Sequence, residues 1–410
     1  MNIQELKGHK VGMCVSGGLD SKTVTRKLKD LGVDVICFSA DLGQPDETDI
    51  QNVVKRMAPC GAETVIVDLK IAMADACFDL IRAQAQYDGG YWNSTGLARA
   101  VTVRGLLPEM KKRGCTVLAH GATGRGNDQV RFERYTNVLA PEMKVYAPWR
   151  DPELLKEFPG RKEMAAYLTG KGIEAFVGAS KRYSTDANLA GLSYEAEDLE
   201  SVETPCNIVT PQMGVWPQEA PDTMELVSMT YEKGRAVEIN GKRVTSLEAM
   251  TTASKIAGRN GVGIRNALEN RIIGTKSRGV YEAPGMELLG FGVLQVYQAV
   301  LNRAATELLR QMSALVARDT YDGRYYEPAK RAAMAAIDSL AEPASGTVTL
   351  GLYKGNMHFQ SLKGVKASLY NMADSSMEAS EGLNPRSSQG FVEVQAVEAR
   401  AMARAGQIKG

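Results

Sequence analysis

The sequence predicts an α/β protein whose first domain is a doubly wound parallel sheet and whose second is α+β, ending in a helical tail. Three observations predict it. Short β-branched runs alternate with segments of helical period through the first 120 residues. A glycine–serine turn, SGGLDS at 16–21, joins the first of those strands to the first helix. Beyond about residue 170 the alternation gives way to hairpins and long alanine-rich helices.

The first-domain strands fall at 10–15 (KVGMCV), 33–38 (VDVICF), 64–67 (TVIV) and 115–119 (CTVLA). Between the first two, residues 21–31 place Val24, Leu28 and Leu31 at helical spacing, with Gly32 to end the helix. Further helices are expected at 46–57, 71–87 and 97–112. Such units give parallel strands with helices on both faces, and ligands bind at the strands' carboxyl ends. The loops starting at Ser16, Ala40 and His120 are therefore where chemistry is expected.

In the second domain, residues 225–244 read as two strand pairs, turning at 232–235 and at Asn240-Gly241. Helices are expected at 246–256, 288–318 and 327–340, with a hairpin at 347–353 and 356–362. Glu269 and Arg271 are expected on a helix. Residues 392–408 read as a helix too isolated to stand alone, which suggests packing on a neighbouring subunit. The expected domain limits are 1–168, 169–380 and 381–410.

Composition narrows the function. The 410 residues carry 49 basic and 48 acidic side chains, a net charge of +1, which argues against the phosphate backbone of a nucleic acid as main partner. The apolar content excludes disorder. No run approaches the length of a membrane span, and the N-terminus does not read as a signal peptide. The six cysteines form no CxxC pair and only three histidines are present, so a reduced, cytoplasmic chain without structural zinc is expected.

The sharpest chemical signal is Ser16-Gly17-Gly18-Leu19-Asp20-Ser21. Glycines between a strand and a helix let the backbone fold tightly and expose N–H groups to an anion. The helix N-terminus adds partial positive charge and the serines add hydroxyl donors, an arrangement that suits pyrophosphate. The spacing is neither that of a Walker A loop nor of a dinucleotide fingerprint. The second signal is HGATGRGNDQVRF at 120–132. There Thr123, Asn127, Asp128 and Arg131 offer donors, an acceptor and a fixed cation, a set suited to a zwitterionic amino acid. His120, at a strand end beside glycines, reads as structural or ligand-orienting rather than as a general base.

SGGLDS resembles the signature of the N-type ATP pyrophosphatases, and HGATGRGNDQVRF resembles that of the argininosuccinate synthases among them. Further blocks of that family stand in its order: APWR at 147–150, YSTDAN at 183–188, SYEA at 193–196, ENR at 269–271 and KSRGVYEAPG at 276–285. The resemblance is strong over 11–285 and weaker beyond.

It implies an adenine nucleotide α-hydrolase-like nucleotide-binding domain, a synthetase and multimerisation domain, and an oligomerisation helix. It implies a ligase joining citrulline to aspartate through a citrullyl-adenylate, with ATP cleaved to AMP and pyrophosphate. ATP would enter with Mg²⁺, held without a metal site of protein side chains alone, and no prosthetic group would be needed. The partners would be these small molecules and three more copies in a homotetramer, with no nucleic acid or membrane.

Residue by residue, the resemblance places Cys14, Val15, Ser16, Gly17, Gly18, Leu19, Asp20, Ser21, Lys22, Ala40, Gly121 and Asp186 on ATP. Thr123, Asn127 and Asp128 would hold aspartate. Tyr91, Asn127, Arg131, Ser184, Ser193, Glu195, Glu269 and Tyr281 would hold citrulline. Ser16, Asp20, Ser21 and Asp128 would be the catalytic set, Asp128 orienting the attacking amine. Many members carry Ser or Thr five residues after the Tyr91 counterpart, where this chain has Gly96 beside Thr95; Ser193 stands where some have Thr. Two rivals are a tRNA-modifying pyrophosphatase, which wants a basic surface and often a CxxC pair, and a nucleotide-binding regulator without turnover.

Overall fold

The computed structural model describes residues 1–175, 182–378 and 382–408, which fall into two compact units, Met1–Lys366 and Ala367–Gly410. The first unit opens with β1 (Lys10–Cys14), α1 (Leu19–Asp30), β2 (Asp34–Asp41), α2 (Gln51–Met57), β3 (Glu63–Asp68), α3 (Lys70–Ala83) and α4 (Ser94–Lys112). It continues with β4 (Val117–His120), α5 (Asp128–Leu139), β5 (Lys144–Tyr146), α6 (Pro152–Glu157) and α7 (Arg161–Gly170). The strands pair in parallel in the order β3-β2-β1-β4-β5.

Alternating apolar residues bury both faces of this sheet. Val35 and Cys37 of β2 join a core with Val11, Val24 and Leu28, whereas Ile36 and Phe38 face Phe78, Leu97 and Val101. The strand order reverses between β1 and β4, so the loops after those two strands open side by side at the switch point. SGGLDS and HGATGRG are those loops.

The rest of the first unit comprises β6 (Ser184–Asn188), β7 (Gly191–Glu195), β8 (Glu225–Glu232), β9 (Arg235–Ile239), β10 (Lys242–Arg243), α8 (Ser246–Arg259), β11 (Ile264–Asn270) and β12 (Lys276–Glu282). After these come α9 (Pro284–Val300), α10 (Arg303–Tyr321), α11 (Pro328–Ala341), β13 (Gly346–Tyr353) and β14 (Asn356–Lys363). Two antiparallel sheets result, β10-β9-β8-β13-β14 and β11-β12-β7-β6. The expected hairpins at 225–244 and 347–362 are present, with Lys233, Asn240 and Lys354 in the left-handed region at their turns.

Several expectations need correction. The helix expected at 46–57 starts only at Gln51. The one expected at 71–87 ends at Ala83, where Gln84 turns left-handed at φ +51°. The single helix expected at 288–318 is two, broken at Leu301 and restarted by Asn302, whose side chain accepts from Ala305 N at 2.9 Å. Glu269 lies on strand β11 and Arg271 just after it, not on a helix. The sheet β11-β12-β7-β6 and the short β5 were not expected from the sequence.

The second unit holds α12 (Met372–Ser375) and α13 (Pro385–Arg404), the latter starting earlier than the expected 392 and carrying no buried residue. The 380/381 limit lies outside the described residues. Among the described residues, no helix is long and apolar enough to cross a membrane.

Candidate active site

The turn after β1 is built as its glycines suggest. Gly17 adopts φ +78° and Gly18 caps α1 in extended conformation, while Ser16 N donates to Ser21 Oγ at 3.2 Å. Burial raises the Asp20 carboxyl, partly offset by a backbone hydrogen bond at the helix start and by Arg161. Cys14, at the end of β1, is pushed up to about 12 by burial and is not a nucleophile at neutral pH. Ala40 sits near the end of β2, its carbonyl accepting from Gln44 Nε2 at 2.9 Å. Lys22 points away from the loop, and its Nζ donates to the Glu174 carbonyl at 2.9 Å.

Beyond β4, Gln129 Nε2 ties down the Gly124 and Gly126 carbonyls at 2.6 and 3.2 Å. A Cβ on Gly124 would come within 3.0 Å of the Trp149 carbonyl, so glycine there lets the loop pack closely. Thr123 is exposed on this loop and Gly121 half-buried. His120 stacks on Phe132 with ring centroids 5.1 Å apart, and its Nδ1 lies 3.3 Å from Ala122 N. Burial, then the charge of Arg150, pushes its pKa down to about 4, so the ring is neutral and orients the loop.

Asp128 begins α5 and accepts from Arg99 Nε and Arg131 Nη1, each at 2.9 Å. Burial would raise its carboxyl, but the two guanidiniums outweigh this and hold it below the ordinary carboxylate range. The second arm of Arg99 donates to Asp186 Oδ2 on β6 at 2.6 Å. Asp186 is raised by burial, against the pull of Arg99 and with the push of Asp128. Arg99 therefore bridges the carboxylates of the two halves, and both pairs are close enough to be charge-assisted hydrogen bonds.

One face of β11-β12-β7-β6 presents Ser184, Asp186, Ser193, Glu195, Glu269 and Tyr281. Its ladders put Asp186 opposite Ser193 and Ser193 opposite Tyr281, and Ser184 opposite Glu195 and Glu195 opposite Gly279. Gly279 is required there, because a Cβ would meet the Tyr281 ring at 2.4 Å. Tyr281 stacks on Tyr91 with centroids 3.9 Å apart and donates to Glu269 Oε2 at 3.0 Å. Tyr321 donates to Glu269 Oε1 at 2.8 Å. Tyr91 Oη accepts from Thr95 N at 3.0 Å. Asn127 donates to Tyr321 Oη at 2.8 Å and accepts from Ile272 N at 3.0 Å.

Arg131 Nε donates to the Tyr321 carbonyl at 2.8 Å. Glu195 faces Arg271 at 3.8 Å and is pushed up to about 7 by burial, then by the charge of Glu269. Glu269 is itself raised by burial.

The structure thus brings Asp128, Asp186, Arg131, Asn127, Tyr91, Ser193, Glu195, Glu269 and Tyr281 into one connected cluster beside the two loops. Ser184 is exposed at its edge. Lys22 is turned away, and Thr123 reaches Gly126 through its carbonyl, accepting from N–H at 3.4 Å. Sequence reasoning missed Arg99, Tyr321 and Tyr87, which stacks on Tyr321 at 3.9 Å. Arg99 lies on the helix that also carries Thr95, and no local pattern marks it.

Known proteins match this chain over nearly all its length. A family model described as the arginosuccinate synthase N-terminal HUP domain matches residues 10–174, and one for the C-terminal domain of the same enzyme matches 183–402. The argininosuccinate synthase of Rhodopirellula baltica is 38% identical over 395 residues, 96% of this chain and 97% of the relative.

Proposed function

This chain belongs to the argininosuccinate synthase family, and from that premise we propose how its residues carry the reaction. It is a ligase of arginine biosynthesis and uses ATP. In our reading L-citrulline, L-aspartate and ATP give argininosuccinate, AMP and pyrophosphate through a citrullyl-adenylate. A ureido oxygen is a poor leaving group, so it first attacks the α-phosphorus; AMP then leaves as aspartate's amine attacks the activated carbon.

The triphosphate is proposed to lie on SGGLDS, where Gly17 and Gly18 shape the turn at the start of α1 and Ser16 and Ser21 add hydroxyls. Cys14, Val15, Leu19, Asp20, Lys22, Ala40, Gly121 and Asp186 are proposed to complete the nucleotide site, with Lys22 acting on the loop from behind. The loop's oxygen donors, Ser16, Asp20 and Ser21, fit a hard cation, and Mg²⁺ is proposed to enter with ATP. No prosthetic group is needed. Citrulline is proposed to lie on the sheet face between Tyr91, Tyr281, Glu195 and Glu269, with Arg131, Asn127, Ser184 and Ser193 around it. Aspartate is proposed to dock at Thr123, Asn127 and Asp128, its amine toward Asp128.

The observation that carries this reading is the Asp128–Arg99–Asp186 bridge. It joins the start of α5 to the sheet face proposed for citrulline, so the two proposed substrate sites share one cation. Catalysis is then positioning and electrostatics rather than covalent. We further propose domains at 1–168, 169–380 and 381–410, a homotetramer, and residence in the cytoplasm. The experiment is isotope transfer: ¹⁸O in the citrulline ureido group should appear in the phosphate of AMP, and ¹⁸O-free AMP would contradict the adenylate.

A further inference from the structure

The loop that would hold pyrophosphate lacks a cation from its own motif, because Lys22 is buried and donates to the Glu174 carbonyl. The guanidinium that does lie on the loop belongs to Arg56, in the last turn of α2. Its Nη2 donates to the Ser16 carbonyl at 3.4 Å. It covers Gly17 so closely that a Cβ there would sit 2.8 Å from Arg56 Nε and 3.3 Å from Nη2. Gly17 is favoured by its positive φ, and its lack of a Cβ leaves room for this approach. Glu47 holds the same guanidinium from the other side, through an ion pair to Nη2 and a contact of 3.5 Å to Nη1. The Arg56 side chain stays 37% exposed, so a ligand on the loop can reach it.

We propose that Arg56 is a ligand of the pyrophosphate half of ATP, held ready over the loop by Glu47. This deepens the ATP reading above and rests on it. A planar guanidinium offers paired donors to a phosphate, where a lysine offers a point charge. Cleavage between the α- and β-phosphorus leaves pyrophosphate with charge that develops in the transition state, and a cation already placed at that spot stabilises it. Glu47 neutralises Arg56 while no phosphate is present. The late start of α2 makes this possible, since residues 46–50 lie outside the helix and Glu47 folds back onto Arg56. Pyrophosphate and Glu47 then compete for one guanidinium.

Product inhibition separates this role from a structural one, because pyrophosphate would touch Arg56 and AMP would not. Wild type, Arg56→Gln, Arg56→Lys and Glu47→Gln are compared for inhibition of the forward reaction by magnesium pyrophosphate and by AMP. Arg56→Gln should weaken pyrophosphate inhibition about tenfold or more, as loss of a charge-assisted hydrogen bond does, while leaving AMP inhibition largely unchanged. Arg56→Lys should recover part of it, and Glu47→Gln should tighten it. Equal weakening of both inhibitions, or unchanged pyrophosphate inhibition in Arg56→Gln, overturns the proposal. Should Arg56→Gln fail to fold, unchanged pyrophosphate inhibition in both other variants overturns it. A wild type indifferent to pyrophosphate overturns the ATP reading and the assignment together.

Discussion

Asp128 is held between two guanidiniums at 2.9 Å each and stays ionised well below neutral pH. An amine arriving there meets a fixed negative charge. Asp128→Asn should lower kcat/KM for aspartate by about 10- to 100-fold, the range for losing a hydrogen bond to a charged group. Steady-state kinetics with aspartate varied checks this, and unchanged kcat and KM would refute the role. Glu195 behaves oppositely, since burial and Glu269 lift its pKa to about 7.

Around Glu195 the charged groups are Glu269, Arg271, Asp128 and Asp186. The folded state therefore binds the Glu195 proton more tightly than the unfolded chain. Its cost to stability is absent at low pH and grows as pH rises from the ordinary carboxyl range through about 7. Glu195→Gln should melt above wild type at pH 8, with the gap closing toward pH 5; a gap independent of pH would contradict this. Asp128 and Arg131 were legible because one short sequence motif carries both, at the start of α5. Arg99 and Tyr321 were not, because their partners come from elements far apart in sequence.

Individual elements show the same division. Parallel strands β1 to β4 were legible from their continuous apolar runs, as burial on both faces requires, whereas the three-residue β5 was not. The sheet β11-β12-β7-β6 was not, because the face proposed to hold citrulline breaks the apolar alternation with Asp186, Ser193, Glu195, Glu269 and Gly279. Gly96 has its own reason on α4. A Cβ there would lie 2.9 Å from the Thr320 carbonyl of α10 and 3.6 Å from the Arg131 guanidinium carbon. Gly96→Ser should thus cost about 1–3 kcal/mol by overpacking, read as a lowered Tm. A Tm equal to wild type would show that α10 yields freely at this crossing.

For the whole molecule, α13 is the unfinished part. Phe391, Val394 and Val397 are 67%, 68% and 59% exposed, more apolar surface than a lone helix keeps in water. Removing residues 392–410 should lower the molar mass measured by light scattering from that of the proposed tetramer, and an unchanged mass would refute the role assigned to this helix. The tail was legible as a helix, whereas its start at Pro385 was not.

In the proposed mechanism one site activates citrulline with ATP and then passes it to aspartate. Pyrophosphate release from ATP and Mg²⁺, with citrulline and aspartate each omitted in turn, tests it most directly. Release should require citrulline, with AMP and argininosuccinate forming once aspartate is added. Release that proceeds without citrulline, or none with both amino acids present, would contradict it.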